Sequence, residues 1–193
     1  KNEADVADYP LLDVTTTPGQ LKSIKYPMAG QMSEQPKVGI YNLATGKLVY
    51  IKPSGKADDY LTNLSFTPDE KYVVIAEVNR DQNHMKLNVY ETQTGNYVRT
   101  LLEEKSDKWV EPEHAAYFIN AKTNEFIWIS ERDGFNNLYH YDFSGKLIKQ
   151  LTANKFVAKG IEAFAGGKIF FNATGVSPLN TMLYTVDLNG KQT

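Results

Sequence analysis

A chain of 193 residues is long enough to bury a sizeable core, and a formal net charge of −2 with scattered Lys and Arg argues against nucleic-acid binding, which needs a basic stripe. The sequence has no cysteine, which removes a disulfide framework, a thiolate zinc site and a cysteine nucleophile. Aromatic residues make up 12%, with 12 Tyr and 9 Phe, and favour sheet, while no apolar run approaches the roughly 20 residues of a membrane-spanning helix.

Residues 1–36 read as an irregular lead-in. They carry Pro10, Pro18, Pro27 and Pro36, four of the eight prolines, and proline cannot donate to a strand ladder. Candidate edge strands cover 6–12 and 22–26. No window keeps a 3.6-residue apolar period over three turns, so no helix is expected. The chain opens on Lys1 with neither methionine nor signal-peptide pattern, which reads as an internal piece of a longer polypeptide.

A strand-turn pattern then recurs four times. It reads VGIYNLATGKLVYI from Val38, LNVYETQTGNYVRTLL from Leu87, LYHYDFSGKLIKQL from Leu138 and LYTVDLNGKQT from Leu183. Each copy has an alternating apolar run, a polar residue (Asn42, Glu91, Asp142, Asp187) and a turn glycine (Gly46, Gly95, Gly145, Gly190). The polar residues are 49, 51 and 45 positions apart. The Asn and Asp side chains are read as turn formers rather than ligands.

The second repeat predicts strands at 60–66, 71–78, 86–90 and 97–102, with a turn at 67–70 and a hairpin loop at 79–84. The run 71–78 is nearly all apolar, as in a central strand covered on both faces. The third repeat predicts strands at 115–119, 125–130, 137–141 and 146–151. The fourth predicts 160–164, 168–173 and 182–187 and lacks a last strand. The first has no recognisable first half.

Short strands at a period of about 40–50 residues mark β-propeller blades, which bury their faces on one another. The expected fold is therefore all-β: an open arc of three to four four-stranded antiparallel blades, cut from a larger propeller. Its units are 1–56 (partial blade with lead-in), 57–104, 105–153 and 154–193. The uncovered edge at 182–187 and the exposed face of the first repeat are expected to self-associate, or one of them to take up the strand at 6–12.

Two stretches carry a resemblance. ISERDGFNNLYHYDFSGKLIKQLT, from Ile129, resembles the blade repeat of the prolyl-oligopeptidase clan of serine peptidases, and also that of the Tol-system periplasmic propeller. Arg132, Asp133 and Gly134 form its tight loop: Gly134 is expected at positive φ, and Asp133 to bond nearby backbone N–H groups. IKYPMAGQMSEQPKVGIYNLATG, from Ile24, is more specific. Its Tyr26, Pro27, Ala29 and Gly30 resemble the Tyr-Pro-x-Ala-Gly motif of the dipeptidyl peptidase IV propeller, and the likeness extends over essentially the whole chain.

The resemblance implies an eight-bladed propeller that caps a C-terminal α/β-hydrolase domain of the same polypeptide. The parent would be a periplasmic or secreted serine exopeptidase, a homodimer in one reading, removing N-terminal dipeptides with Pro or Ala second. No cofactor is implied. The alternative is a stand-alone Tol-type binding propeller. No Gly-x-Ser-x-Gly nucleophile elbow occurs in the sequence, so this segment is expected to carry no catalytic residue. Nor does a Glu-Glu pair, the family's amine anchor, precede Tyr26; Glu103-Glu104 lies elsewhere, after the last strand of the second repeat.

The remaining candidates are modest. Trp109 and Glu111 lie on the connection that lines the substrate cleft in that family, and are the cleft candidates here. The acidic run Glu103, Glu104, Asp107, Glu111 and Glu113 otherwise reads as a solvated connection. His84, His114 and His140 have no ligand spacing, so no metal site is expected. Tyr26 and Tyr41 read as packed tyrosines.

Overall fold

The computed structural model describes residues 1–175 and 177–193. Strands β1 (Asp8–Asp13) and β2 (Gln20–Lys25) pair only with each other, as an antiparallel hairpin. Four sheets follow in chain order. The first is β3 (Gly39–Asn42) with β4 (Lys47–Tyr50). The second contains β5 (Tyr60–Phe66), β6 (Tyr72–Val78), β7 (His84–Glu91) and β8 (Tyr97–Lys105). The third contains β9 (Tyr117–Phe118), β10 (Phe126–Ser130), β11 (Asn137–Tyr141) and β12 (Leu147–Gln150). The fourth contains β13 (Ala158–Ala165), β14 (Lys168–Ala173) and β15 (Met182–Asp187). Every pairing is antiparallel between neighbours in sequence. The described residues contain no helix.

Period-two alternation sends the side chains of each central strand to two different cores. From β6, Val73 and Ile75 join Tyr90 and Ile51 between the first and second sheets. Val74, Ala76 and Val78 point the other way, to Phe126, Trp128, Tyr139 and Tyr141 of the third. In turn Ile127, Ile129 and Leu138 meet Ile169, Phe171 and Val186 of the fourth. A central strand with both faces buried is mostly apolar, which is why Val73–Ala76 does not alternate; Glu77 is the buried exception, bonded to the Tyr90 hydroxyl. Full burial of side chains this size contributes roughly 1.5–3 kcal/mol each, so three such interfaces make the sheets interdependent.

The turn glycines occupy equivalent places. Gly46, Gly95, Gly145 and Gly190 have φ of 67°, 69°, 94° and 84°. Each donates its N–H to the carbonyl of its own repeat's polar residue, at 2.8, 2.8, 3.1 and 2.9 Å. The side chains of Asn42, Asp142 and Asp187 accept backbone N–H groups across their turns, as expected of turn formers.

Several expectations need correction. The strand expected over 6–12 starts at Asp8 and pairs with β2, not with the edge at 182–187; Val6, which precedes it, is buried and donates its N–H to Glu3 O at 3.1 Å. The β15 edge is partly occupied by the chain itself, since Thr185 and Thr193 exchange two backbone hydrogen bonds of 2.8 Å. His84 belongs to β7, and Glu103 and Glu104 lie inside β8 because ladder pairing with β7 continues to Lys105. The strand expected over 115–119 is only two residues long. Tyr26 and Tyr41 are exposed, at 54% and 59%, rather than packed. Tyr26 leans on Tyr9 of the hairpin, their ring centroids 5.6 Å apart.

Candidate functional site

Three connections converge at one end of the second and third sheets: the β6–β7 loop (79–83), the β8–β9 connection (106–116) and the β10–β11 loop (131–136). Backbone bonds tie the first two, Ser106 N to Asn83 O at 3.0 Å and Val110 N to Gln82 O at 2.8 Å. Asn136 Nδ2 donates to Glu113 Oε2 at 3.0 Å and joins the third. The β6–β7 loop is shaped from within, as Asn79 Oδ1 accepts the N–H groups of Asn83 and His84 at 3.0 and 2.9 Å.

On this platform Val110 supplies the packing and Trp109 does not. Val110 is buried in the core between the second and third sheets, whereas Trp109 is 57% exposed, with Lys108 Nζ 6.0 Å from its ring centroid. Glu111 borders a cavity of about 210 Å3 with Tyr60, Thr62, Gln82 and Pro112. Arg80 donates to the Tyr60 hydroxyl and lies over its ring, 5.5 Å from the centroid. The two cleft candidates thus share one exposed connection, and Glu111 opens onto a hollow with both apolar and polar walls.

Arg132 is the most heavily engaged cation. It donates to Glu104 Oε1 and to the Tyr141 hydroxyl, both at 2.6 Å, and to Ser130 Oγ at 3.0 Å. Its guanidinium stacks 4.4 Å from the Tyr139 ring centroid. Burial works against its charge, but Tyr141 and Glu104 more than offset that and hold the guanidinium above its ordinary value. Glu104 also accepts Trp128 Nε1 at 3.0 Å. Glu104 is therefore a tie between two sheets, not part of a solvated run. Reading it as a connection missed this because the extent of β8 is set by pairing with β7.

The motif residues take structural places. Gly134 has φ of 99°, as expected, and its N–H donates to Glu131 O at 2.8 Å. Asp133 departs from expectation: it accepts side-chain amides, Asn137 Nδ2 at 3.1 Å and Gln150 Nε2 at 2.6 Å, rather than backbone N–H groups. Tyr26, Pro27, Ala29 and Gly30 lie beyond β2, where Gly30 at φ 79° completes a turn closed by Gln31 N to Met28 O at 3.0 Å. The structure does not bring them to the Trp109 end.

The charge at that end is acidic. Burial pushes the Glu131 carboxyl up, and repulsion from Glu111, Glu113 and Glu104 adds to it. Two of the three histidines, by contrast, are paired across strands: His84 Nε2 with Glu103 at 2.9 Å, and His140, buried in β11, with Glu125 at 3.0 Å. Both have carboxylate partners that sequence spacing did not reveal, since each pair joins different strands or strand ends. Among the described residues no three His, Asp or Glu are grouped to hold a metal ion.

Over residues 1–193 the sequence matches the family described as the dipeptidyl peptidase IV (DPP IV) N-terminal region. The chain belongs to that family. A solved structure from Bacteroides ovatus ATCC 8483, described as a dipeptidyl aminopeptidase IV, superposes with a TM-score of 0.88 at 37% identity, over 99% of this chain and 30% of that one. Porphyromonas gingivalis dipeptidyl peptidase 4 shares the fold, with a TM-score of 0.84 at 22% identity over 100% of this chain and 28% of that one. Dipeptidyl aminopeptidase B of Saccharomyces cerevisiae is 25% identical over 184 residues, 88% of this chain and 22% of that protein. The chain thus spans less than a third of these relatives' length. As a dipeptidyl peptidase IV N-terminal region it presents the propeller's four-stranded antiparallel sheets.

Proposed function

We propose that this chain is the non-catalytic propeller segment of a serine dipeptidyl peptidase and caps an α/β-hydrolase domain of the same polypeptide. The match to the dipeptidyl peptidase IV N-terminal region over the whole chain carries the reading. In it the nucleophile and triad belong to the hydrolase domain, and an eight-bladed propeller supplies a wall and a gate. A narrow propeller cavity admits unfolded peptide ends and rejects folded proteins, as lids do in other enzymes. Substrates carry Pro or Ala second, and the parent is a periplasmic or secreted homodimer.

Trp109 and Glu111 line part of the substrate cleft in this reading. What supports it is their exposure on a connection anchored at both sides, with Val110 taking the core position between them. An indole face suits the apolar body of a peptide, and a carboxylate suits its cationic groups. The test uses the full-length protein and an Ala-Pro anilide. Hydrolysis abolished by a serine-directed inhibitor is expected. Trp109→Ala and Glu111→Gln should raise KM several-fold while kcat is largely kept, because a wall contact acts on binding. Absence of hydrolysis by pure, folded protein would return the chain to the binding-propeller reading. Unchanged KM in both variants would remove these two residues from the cleft.

A further inference from the structure

The connection from β4 to β5 crosses the interface of the first and second sheets and borders a cavity of about 500 Å3. That volume is in the range of small-molecule sites, roughly 300–1,000 Å3. It shares no lining residue with the hollow beside Glu111.

One carboxylate lines this cavity, and a second lies beside its wall at Gly55. Asp59 lines it; its Oδ2 accepts Lys56 N at 2.9 Å, while its Oδ1 is buried without a hydrogen-bond partner. Glu77 is only 6% exposed and accepts the Tyr90 hydroxyl on Oε1. Its Oε2 has no hydrogen bond among the described residues. Glu77 stands opposite Leu61 in the β5–β6 ladder, and cross-strand partners share a face. Leu61 itself lines the cavity.

Gly55 marks where the two acids come together. A Cβ built there would collide with Asp59 Oδ2 and lie 3.5 Å from Glu77 Oε2. Any larger residue would have to displace Asp59. Lys37 and Lys56 also line the cavity. None of these four charged groups forms an ion pair among the described residues.

A carboxylate oxygen buried without a partner, as Asp59 Oδ1 is, costs stability unless something satisfies it. An ammonium group has three donors and no acceptor, which matches two neighbouring carboxylate oxygens. The lysines supply the opposite pole, and Ile51 and Leu61 an apolar wall. We propose that this cavity binds a small zwitterion, a free amino acid or a short peptide. Its α-ammonium sits between Asp59 and Glu77, and its carboxylate faces Lys37 and Lys56. The site stands on these contacts alone and does not depend on the peptidase reading.

Isothermal titration calorimetry on the purified protein tests it with L-leucine, L-alanyl-L-leucine, N-acetyl-L-leucine and L-leucine amide. Leucine or the dipeptide should bind, and whichever binds more tightly identifies the source. Acetylation should abolish binding, because it removes the ammonium. The amide should bind several-fold more weakly. Asp59→Asn and Glu77→Gln should each weaken binding about tenfold or more, the scale of a hydrogen bond to a charged group. Both keep an acceptor for Lys56 N or for Tyr90, and circular dichroism checks their fold. The acetylated ligand needs no variant, so the test survives a folding failure. The proposal is overturned if neither zwitterion binds at millimolar concentration, if acetylation makes no difference, or if both folded variants bind as the parent does.

Discussion

Gly145 of the third sheet packs so closely on the Leu101 carbonyl of the second that a Cβ at Gly145 would have no room. Gly95 stands in the same relation to the Tyr50 carbonyl of the first sheet, and Lys52 N donates to Gly95 O at 2.9 Å beside it. Gly95 and Gly145 therefore serve two ends: each turns its own hairpin, and each lets the turn rest on the outer strand of the preceding sheet.

Gly145→Ala should consequently cost more than its backbone conformation alone requires. A left-handed non-glycine residue costs about 1–2 kcal/mol, and the clash with Leu101 adds to that. Gly134 is the control: its φ of 99° is comparable to 94° at Gly145, but nothing lies within 4 Å of its Cβ position. Urea unfolding should show Gly145→Ala losing clearly more stability than Gly134→Ala. Equal losses would mean that the neighbouring sheet yields freely.

The pair of Glu104 and Arg132 should couple strongly. Their side chains are 13% and 32% exposed and 2.6 Å apart. Removing the guanidinium leaves a largely buried carboxylate with Trp128 as its remaining donor. Arg132→Gln should therefore cost about 2 kcal/mol, below the full figure for a buried pair because Arg132 keeps some solvent. A double-mutant cycle with Glu104→Gln should give a coupling of about 1 kcal/mol or more. A coupling near zero would show that the contact does not hold the two sheets together.

Glu131 should make stability depend on pH in a defined direction. Its folded-state carboxyl is raised above the ordinary 4.5, by burial first and then by Glu111, Glu113 and Glu104. Well above the folded value both states are ionised, and the folded state bears the whole unfavourable interaction. As pH falls through that value the folded state binds the proton first and the penalty is relieved. Glu131→Gln should thus be more stable than the parent at neutral pH, with the advantage fading toward pH 4.5. Thermal unfolding across pH would show this; an advantage that grows in acid would contradict it.

Tyr90 is the donor that keeps Glu77 tolerable in its buried position. Burial, and then the bond to Glu77, push the phenol above its ordinary value, so it remains a donor at any ordinary pH. Tyr90→Phe should cost about 1–3 kcal/mol by leaving that oxygen unpaired. Adding Glu77→Gln should recover part of the loss, because a neutral amide is less costly to bury than a carboxylate. Denaturant midpoints of the two variants settle the order.

Much of the fold was legible because strand signals are local. Alternation located β5, β11, β14 and β15 at the bounds the structure shows, and the glycine after each polar residue located the turns. The resemblance carried by Tyr26, Pro27, Ala29 and Gly30 pointed to the family, which the match over residues 1–193 then established. The candidate site was less legible. Trp109 and Glu111 were visible as residues on a connection, but not the ties to Gln82 and Asn136 that anchor their platform.

The sequence by itself therefore determined the repeat, the all-β class and the turns, since each depends on residues a few positions apart. Only the tertiary structure decided which charges are paired. Glu104 meets Arg132, 28 positions later, and Glu77 meets Tyr90, 13 positions later. The same structure leaves Asp59 with an open oxygen beside a cavity. The reason is physical: a carboxylate's partner is set by which sheet faces stack and how far a ladder runs. Those depend on burial between whole sheets, and strand alternation carries no record of them.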